Sequence, residues 1–246
     1  MARRLASTTL LSILQPWNEV EEPIHRRVAQ LADAEEGHET LWVGCGVGRS
    51  VLWWCKRFNT FTEGLDPEPE AVDAAEEAAR QAGLSKLATF QVADPTDLPH
   101  QDQVFDITVV HMLHLPAPDG KAVVLEAGRV ARPMGTVIAL VPSWLQTPSE
   151  REARIVKALG MSPQLSVEWK SFLREANVVE LTVEEAASDG RWIAHNVFGL
   201  VVRGWRVAGW AGVRAVLGRE VRTLRRLARK RILSLSIVKG TRWPHG

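Results

Sequence analysis

Short apolar runs alternate with helical patterns along most of this chain, and that alternation restricts its fold more than any other feature. The runs that are typical of buried strands are ETLWVGC, TFTEGLD, LATFQVAD, VFDITVVHML and TVIALVP. Helical patterns separate several of them, among them PEAVDAAEEAARQAG, which is rich in Ala and Glu. Strands joined by helices of this length form βαβ units. We therefore predict a doubly wound α/β fold with a mostly parallel, seven-stranded sheet that is covered on both faces.

The chain has 246 residues, which is enough for one domain of ordinary size with a full core. We place the sheet domain at residues 35–202, with a helical flank at 1–34 and a basic helical tail at 203–246. The flank opens with MARRLASTTLLSIL, which we interpret as an amphipathic helix rather than a signal peptide. The reasons are that its apolar core is short and polar residues interrupt it, and that no small-residue cleavage site follows.

Charge is divided unequally along the chain. Residues 203–246 hold 12 Lys and Arg residues against one acid, Glu220, whereas the preceding residues hold 18 basic and 28 acidic side chains. Such a split suggests an anionic partner for the tail. Between 213 and 231 the apolar and basic residues fall on opposite sides of a helical wheel, and Trp205 and Trp210 lie nearby. This pattern predicts a basic amphipathic helix.

Three interpretations of the tail remain open at this stage. Arg203–Gly246 can dock on an anionic membrane surface or a membrane protein complex, which we favour. Its apolar side can instead pack on the acidic body, or it can bind nucleic acid, for which the chain shows no recognised module. The two cysteines, Cys45 and Cys55, are typical of free thiols in a reducing compartment. We therefore expect a cytoplasmic protein attached peripherally to the cytoplasmic face of a membrane.

The first predicted strand runs into three glycines, Gly44, Gly46 and Gly48, in a G-x-G-x-G pattern. Glycines here allow a ligand to approach the backbone, and the following helix presents free N–H groups. The pattern differs from the dinucleotide G-x-G-x-x-G because position 49 is Arg, and from a P-loop because no Gly-Lys-Ser/Thr follows. A plain strand-to-helix turn is the alternative interpretation.

Polar residues also end the next three strands, at the sheet edge where ligands of such folds bind. Asp66 can accept the ribose hydroxyls of an adenosine, or it can cap a helix that starts at Pro67. Asp94 follows the third strand, and His111 and His114 follow the fourth. Histidine is suited to act as a general base near neutral pH, although a histidine at a strand end is often only a hydrogen-bonding residue. The spacing of Cys and His shows no metal-ligand pattern, so we predict no metal.

Four stretches resemble the class I S-adenosylmethionine-dependent methyltransferases, in the order found in that family. They are LWVGCGVG, GLDPEPEAVDAA, FQVADPTDLPHQDQVFDITVVHMLHL and EAGRVARPMGTVIAL. The resemblance is greatest to the group that includes quinone-biosynthesis and small-molecule methyltransferases. It covers roughly Glu39 to Pro142 and is weaker through Trp169–Gly199, where the last two strands would lie. It implies S-adenosylmethionine as the cofactor and a small-molecule or lipid-like methyl acceptor.

The resemblance also implies a role for individual residues. The glycine turn would line the methionine part of the cofactor, and Asp66 would bind the ribose. Asp94 and its neighbours would contact the adenine amino group. His111 would lie where the methyl group meets its acceptor. The implied cofactor-binding residues are Gly44, Cys45, Gly46, Gly48, Asp66, Pro67, Ala93, Asp94, Pro95 and His111, and the candidate catalytic residues are His111 and His114.

Trp42 is the main departure from the family pattern. The family usually has Asp or Glu at this position, two residues before the first glycine, where the acid helps to orient the amino-acid end of the cofactor. The side chain of Trp accepts no hydrogen bond. We predict an enzyme that transfers methyl groups. The alternative is a non-catalytic subunit that keeps the methyltransferase fold and docks on a membrane protein complex by its basic tail.

Overall fold

The computed structural model describes Leu14 and residues 21–115, 119–187, 192–193 and 197–244. The strands are β1 (Glu39–Val43), β2 (Phe61–Asp66), β3 (Ala88–Val92), β4 (Phe105–His111), β5 (Ala131–Trp144), β6 (Gln164–Leu165), β7 (Val178–Glu185) and β8 (Leu233–Arg242). The helices are α1 (Glu22–Ala32), α2 (Arg49–Phe58), α3 (Pro69–Ala82), α4 (Gly120–Val130), α5 (Glu150–Ala158), α6 (Ser166–Glu175), α7 (Val197–Val216) and α8 (Arg219–Arg229).

The strands form one sheet in the order β3-β2-β1-β4-β5-β8-β7, and β6 pairs with β5 outside this path. Neighbouring strands from β3 to β5 are parallel, whereas β8 is antiparallel to both β5 and β7. The predicted doubly wound, mostly parallel fold is confirmed. The sheet has eight strands rather than the predicted seven, and β6 contains only two residues.

Two hydrophobic cores lie on opposite faces of the sheet. One contains Trp42 and Trp54 together with apolar residues of α1, α3, α5, α7 and α8. The other contains Val110 and the buried sides of α4 and α6, including Val124 and Leu173. Helices therefore cover both faces, as the alternation of strands and helices requires.

The structure corrects the predicted end of the domain at residue 202. Strand β8, which lies in the predicted tail, pairs with β5 from Leu233 to Thr241 and also pairs with β7. Its side chains are buried on both faces, with Leu235 and Ile237 in one core and Val238 in the other. Because arginines dominate the composition of residues 203–246, this short apolar run was not predicted as a strand. The described part of the predicted tail, residues 203–244, thus belongs to the sheet domain and is not a separate helical tail.

The predicted basic amphipathic helix is divided at Gly218 between the end of α7 and α8. Its apolar side packs against the domain: Val221, Leu224 and Leu227 are each at most 1% exposed. On the basic side, Arg226 forms an ion pair with Glu152 of α5 at 2.8 Å. The apolar side is therefore not available to a membrane, and the tail packs on its own domain as the second interpretation proposed.

Helix α7 is broken at Ala208 and Gly209, where the backbone leaves helical geometry. The two halves come together at Gly204 and Gly212, since a Cβ added to Gly212 would collide with the Gly204 carbonyl oxygen. We call residues 197–216 the α7 hairpin. The predicted amphipathic helix at the very start of the chain lies outside the described residues, apart from Leu14.

Candidate active site

The glycine turn connects β1 to α2 at the carboxyl edge of the sheet. Gly44, Gly46 and Gly48 have φ values of 78°, 52° and 77°, in the left-handed region that favours glycine. A Cβ on Gly44 would lie 2.8 Å from the carbonyl oxygen of His111 and 3.2 Å from the side chain of Leu115. Glycine at position 44 therefore lets the turn approach the end of β4.

Two of the predicted cofactor-binding residues in this turn, Gly48 and Cys45, contribute to packing, and their contact with a cofactor stays a prediction. A Cβ on Gly48 would lie 2.8 Å from both Ala75 and Phe90, so this glycine allows close contact with α3 and β3. Cys45 is buried, and its thiol donates a weak hydrogen bond to the Gly46 carbonyl at 3.5 Å. Burial raises the pKa of the Cys45 thiol well above its ordinary value. Cys45 is therefore a neutral, buried thiol.

Asp66 ends β2 and is only 2% exposed. Its Oδ2 accepts a hydrogen bond from the Gly46 backbone N–H at 2.8 Å, and its Oδ1 accepts one from the Glu68 N–H at 3.1 Å. Burial raises the pKa of Asp66, although these two donors counteract the shift. The predicted cap at Pro67 is wrong, because α3 begins at Pro69. Asp66 instead links the ends of β1 and β2, and its ribose role stays a prediction.

The loop after β3 lies beside Asp66, because the Ala93 N–H donates to the Asp66 backbone carbonyl at 3.2 Å. The Asp94 carboxylate is exposed and accepts hydrogen bonds from the Thr96 hydroxyl and backbone N–H at 2.7 and 2.8 Å. These bonds lower the pKa of Asp94. The strand order thus brings Ala93, Asp94 and Pro95 to the predicted edge, and their contact with adenine stays a prediction.

Three histidines form a cluster at the end of β4. The rings of His111 and His114 lie 3.8 Å apart between centroids, with an angle of 30° between their planes. The His25 ring, from α1, lies 5.9 Å from that of His111, and its Nε2 lies 3.0 Å from the hydroxyl oxygen of Ser50. His25 is not among the predicted site residues, because it lies in the N-terminal flank without a recognisable motif.

His114 is held between two acceptors. Its Nδ1 lies 3.1 Å from the Gly44 carbonyl oxygen, and its Nε2 lies 3.4 Å from Oε1 of Glu21. A carbonyl and a carboxylate can only accept, so this position favours the ring with both nitrogens protonated, the imidazolium. Burial alone would lower the pKa of His114, but the pair with Glu21 and the Gly44 carbonyl raise it. This arrangement disfavours His114 as a general base.

His111 and His25 are neutral. Burial lowers the pKa of His111 well below its ordinary value, and the positive His114 adds to the shift. Burial also lowers the pKa of His25 to about 3, despite the nearby Glu21. Among the described residues, Nδ1 of His111 has no hydrogen-bond partner. Of the two candidate catalytic residues, His111 is therefore the neutral one, and its lowered pKa makes it a weak base.

Trp42 lies in one of the two hydrophobic cores. Its ring lies 5.0 Å from that of His25 and 5.4 Å from that of Trp54, and the side chain is fully buried. The bulky residue at the family's acidic position is therefore a packing residue here. A different carboxylate reaches this region: Glu21, the residue before α1, is 8% exposed and contacts the turn through His114.

Comparison with known proteins agrees with this geometry. Residues 41–135 match the methyltransferase domain family. The chain is 31% identical over 126 residues to methyltransferase GfsG of Streptomyces halstedii, covering 50% of this chain and 45% of that protein. It is 28% identical over 168 residues to 27-O-demethylrifamycin SV methyltransferase of Amycolatopsis mediterranei, covering 65% and 61%. Residues 41–135, which are less than half of the chain, therefore resemble a methyltransferase domain.

A solved structure with a similar fold carries a different name. The crystal structure of the [4+2]-cyclase SpnF superposes on this chain with a TM-score of 0.73 at 22% identity, covering 94% of this chain and 83% of that one. This likeness shows the fold alone. The chain spans about half the length of the first curated relatives it matches.

The edge of the sheet fits the cofactor that the sequence resemblance implies. The left-handed turn leaves the Gly46 backbone partly exposed, and Asp66 and Glu21 supply two carboxylates beside it. The unpartnered Nδ1 of the buried His111 is a further polar atom for a ligand to meet. In the described part of the chain, no set of three or more His, Cys, Asp or Glu side chains is arranged to hold a metal ion.

Proposed function

We propose that this chain catalyses methyl transfer from S-adenosylmethionine to a small-molecule or lipid-like acceptor. The observation that carries the proposal is the convergence of the glycine turn, Asp66 and His111 at one edge of a parallel sheet, in a chain whose residues 41–135 match the methyltransferase domain family. A relative named for its action on 27-O-demethylrifamycin SV supports a small-molecule acceptor.

Each residue of the site has a separate task in this proposal. When bound, the cofactor supplies an electrophilic methyl group. The turn at Gly44 and Gly46 binds the methionine part of the cofactor, Asp66 binds the ribose, and the loop at Asp94 contacts the adenine. Methyl transfer depends mainly on proximity and in-line orientation, so these contacts provide most of the catalysis. Neutral His111 accepts the proton that the acceptor loses, at Nδ1.

In the same proposal, the protein binds an anionic membrane surface from the cytoplasm, where a lipid-like acceptor would be found. The support is the α7 hairpin, in which Trp205 and Trp210 are 57% and 73% exposed. Arg206 and Arg214 are exposed on the same hairpin. Tryptophan with nearby arginine favours the interface of an anionic bilayer. No helix within the described ranges has both the length and the apolar character of a membrane span.

The membrane part is tested by sedimentation with vesicles that contain anionic lipid. We expect the double variant Trp205→Ser/Trp210→Ser to lose binding. The matched control is Trp243→Ser, which removes a tryptophan that is 53% exposed outside the hairpin. Binding should weaken with salt, because charge attraction is screened over about 8 Å at physiological ionic strength. Equal sedimentation of the double variant and the control would overturn this part.

The enzymatic part is tested by calorimetry with S-adenosylhomocysteine, followed by a methyl-transfer assay with candidate acceptors. The alternative is a non-catalytic subunit docked on a membrane protein complex, which Trp42 and the basic tail suggested. Because Trp42 packs in a core and the apolar side of α8 packs on the domain, the site geometry supports the enzyme. A folded chain that binds neither S-adenosylmethionine nor its product would favour the subunit.

A further inference from the structure

The chain passes from β3 to β4 without a helix. Residues 93–104 make this connection and contain neither helix nor strand. They pass two strands, because β2 and β1 lie between β3 and β4 in the sheet. The backbone groups of such a segment have no regular structure to pair with, so they need other partners wherever they are buried. Two side chains of α4, Glu126 and Arg129, supply these partners.

Arg129 lies at the centre of this arrangement. Its Nε and Nη2 donate to the two carboxylate oxygens of Glu126, at 2.7 and 2.6 Å. Nη2 also donates to the Leu98 carbonyl at 3.0 Å. Nη1 donates to the His100 carbonyl at 2.7 Å and to the Asp102 carboxylate at 2.9 Å. A guanidinium has five N–H donors in a fixed planar arrangement, so these bonds use all of them.

Leu98 is held through both of its backbone groups. Its N–H donates to Oε2 of Glu126 at 2.8 Å, and its carbonyl accepts the bond from Arg129. Its side chain is 4% exposed and lies in one of the two hydrophobic cores. The position of Leu98 relative to α4 is therefore fixed by the Glu126–Arg129 pair.

The turn 94–97 lies between two fixed ends. On the side of β3, the Ala93 N–H donates to the backbone carbonyl of Asp66 at 3.2 Å. On the other side, Leu98 follows directly and is held by α4. A turn this short has little freedom when both of its ends are held, so the orientation of Asp94 depends on the pair in α4.

We propose that Arg129 and Glu126 are positioning residues for adenine recognition, because by fixing Leu98 they set the position of the Asp94 carboxylate. This inference rests on the proposed function, in which the loop at Asp94 contacts the adenine. Both bonds from Thr96 go to Oδ1 of Asp94, so Oδ2 is available to the amino group of the adenine. A hydrogen bond weakens with distance and misalignment, so a displaced carboxylate recognises this group less well.

The experiment is calorimetry of the full chain with two probes that differ at one position. S-adenosylhomocysteine carries the adenine amino group, and S-inosylhomocysteine has a carbonyl in its place. The carbonyl cannot donate to a carboxylate. We expect the wild-type chain to prefer S-adenosylhomocysteine by about tenfold or more, since a hydrogen bond to a charged group is lost with the other probe.

The variants separate positioning from general stability. Asp94→Ala should remove the preference for S-adenosylhomocysteine, and Arg129→Gln should lose most of it. Arg129→Lys should have an intermediate preference, because one ammonium keeps the charge but cannot reach both backbone carbonyls and the Glu126 carboxylate. Where Arg129→Gln does not fold, Arg129→Lys and Glu126→Gln carry the same comparison.

Arg132→Gln is the matched control. Arg132 is also held by two carboxylates, Asp106 at 2.6 Å and Glu39 at 2.8 Å. Glu39 is the first residue of β1, so this pair of contacts lies at the opposite edge of the sheet from Asp94. Arg132→Gln should lower the stability in urea denaturation and keep the wild-type preference between the two probes.

The inference fails if folded Arg129→Gln has the wild-type preference, or if Arg132→Gln loses as much of it. It also fails if Asp94→Ala and the wild-type chain distinguish the probes equally. In these cases S-adenosylhomocysteine still binds, so the proposed function stands and only the positioning role is lost. A folded wild-type chain that binds neither probe would overturn the proposed function as well.

Discussion

Asp66 fixes the glycine turn to the neighbouring strand, because its carboxylate accepts a hydrogen bond from the Gly46 backbone N–H at 2.8 Å. The same carboxylate accepts a second bond from the Glu68 N–H. Both bonds form in a buried site, and backbone donors left unpaired there are costly. The residue predicted to hold the ribose therefore also maintains the shape of the turn.

We expect Asp66→Ala to lower the free energy of unfolding by about 1–3 kcal/mol and to weaken S-adenosylhomocysteine strongly. Asp66→Asn keeps one acceptor oxygen and should retain more of the stability than of the affinity. Urea denaturation and calorimetry measure the two effects. Asp94→Ala is the comparison, since Asp94 is exposed and bonds only within its own loop. An Asp66→Ala variant as stable as Asp94→Ala would contradict this account.

The neutral state of His25 should make the protein sensitive to acid. Its pKa is lowered to about 3 in the fold, against about 6.5 when unfolded, so the unfolded chain takes up the proton first. The contribution is complete above about pH 6.5 and is lost as the pH falls toward 3. His25→Gln should reduce the slope of unfolding free energy against pH by up to about 1.4 kcal/mol per unit in that window. An unchanged slope in denaturation series at several pH values would show that His25 is not the titrating group.

Trp42 should behave as a core residue and not as a ligand contact. Trp42→Phe keeps an aromatic ring against His25 and Trp54 and should leave S-adenosylhomocysteine affinity within about twofold of wild type. Trp42→Asp restores the residue type of the family but buries a carboxylate in a core, and it should destabilise the fold by several kcal/mol. If thermal denaturation shows Trp42→Asp to be as stable as Trp42→Phe, the described packing is wrong.

The α7 hairpin should depend on the contact between Gly204 and Gly212. A methyl group at 212 would collide with the Gly204 backbone, so Gly212→Ala should separate the two halves and expose them to limited proteolysis. It should also weaken vesicle binding. Gly209→Ala is the control, because its Cβ meets nothing within 4 Å and only its positive φ adds strain. Proteolysis of Gly212→Ala no faster than that of Gly209→Ala would count against the hairpin.

Several elements of the fold could be predicted from local sequence. The alternation of apolar runs and helical patterns indicated a parallel sheet, since each run is long enough for one buried strand. The G-x-G-x-G turn could be identified because left-handed φ values favour glycine. The placement of Asp66 and His111 at the same edge followed, because the ends of parallel strands meet there.

Other features could not be predicted in this way, because they depend on contacts between distant parts of the chain. The LSLSIV run in β8 is shorter than the arginine-rich stretch before it, so composition assigned it to a tail. Only its pairing with both β5 and β7 identifies it as part of the sheet. Likewise, the buried side of α8 could equally have faced a bilayer or a protein core.

The sequence by itself determined the α/β class, the glycine turn and the carboxylate and histidines that surround it, because periodicity and backbone preference act over a few residues. The tertiary structure decided which of these groups carry charge. Glu21 and His114 come within ion-pair distance only when the fold brings Glu21 beside the turn, and burial keeps His111 neutral next to them. Protonation depends on desolvation and on neighbouring charges, and both are properties of the folded chain.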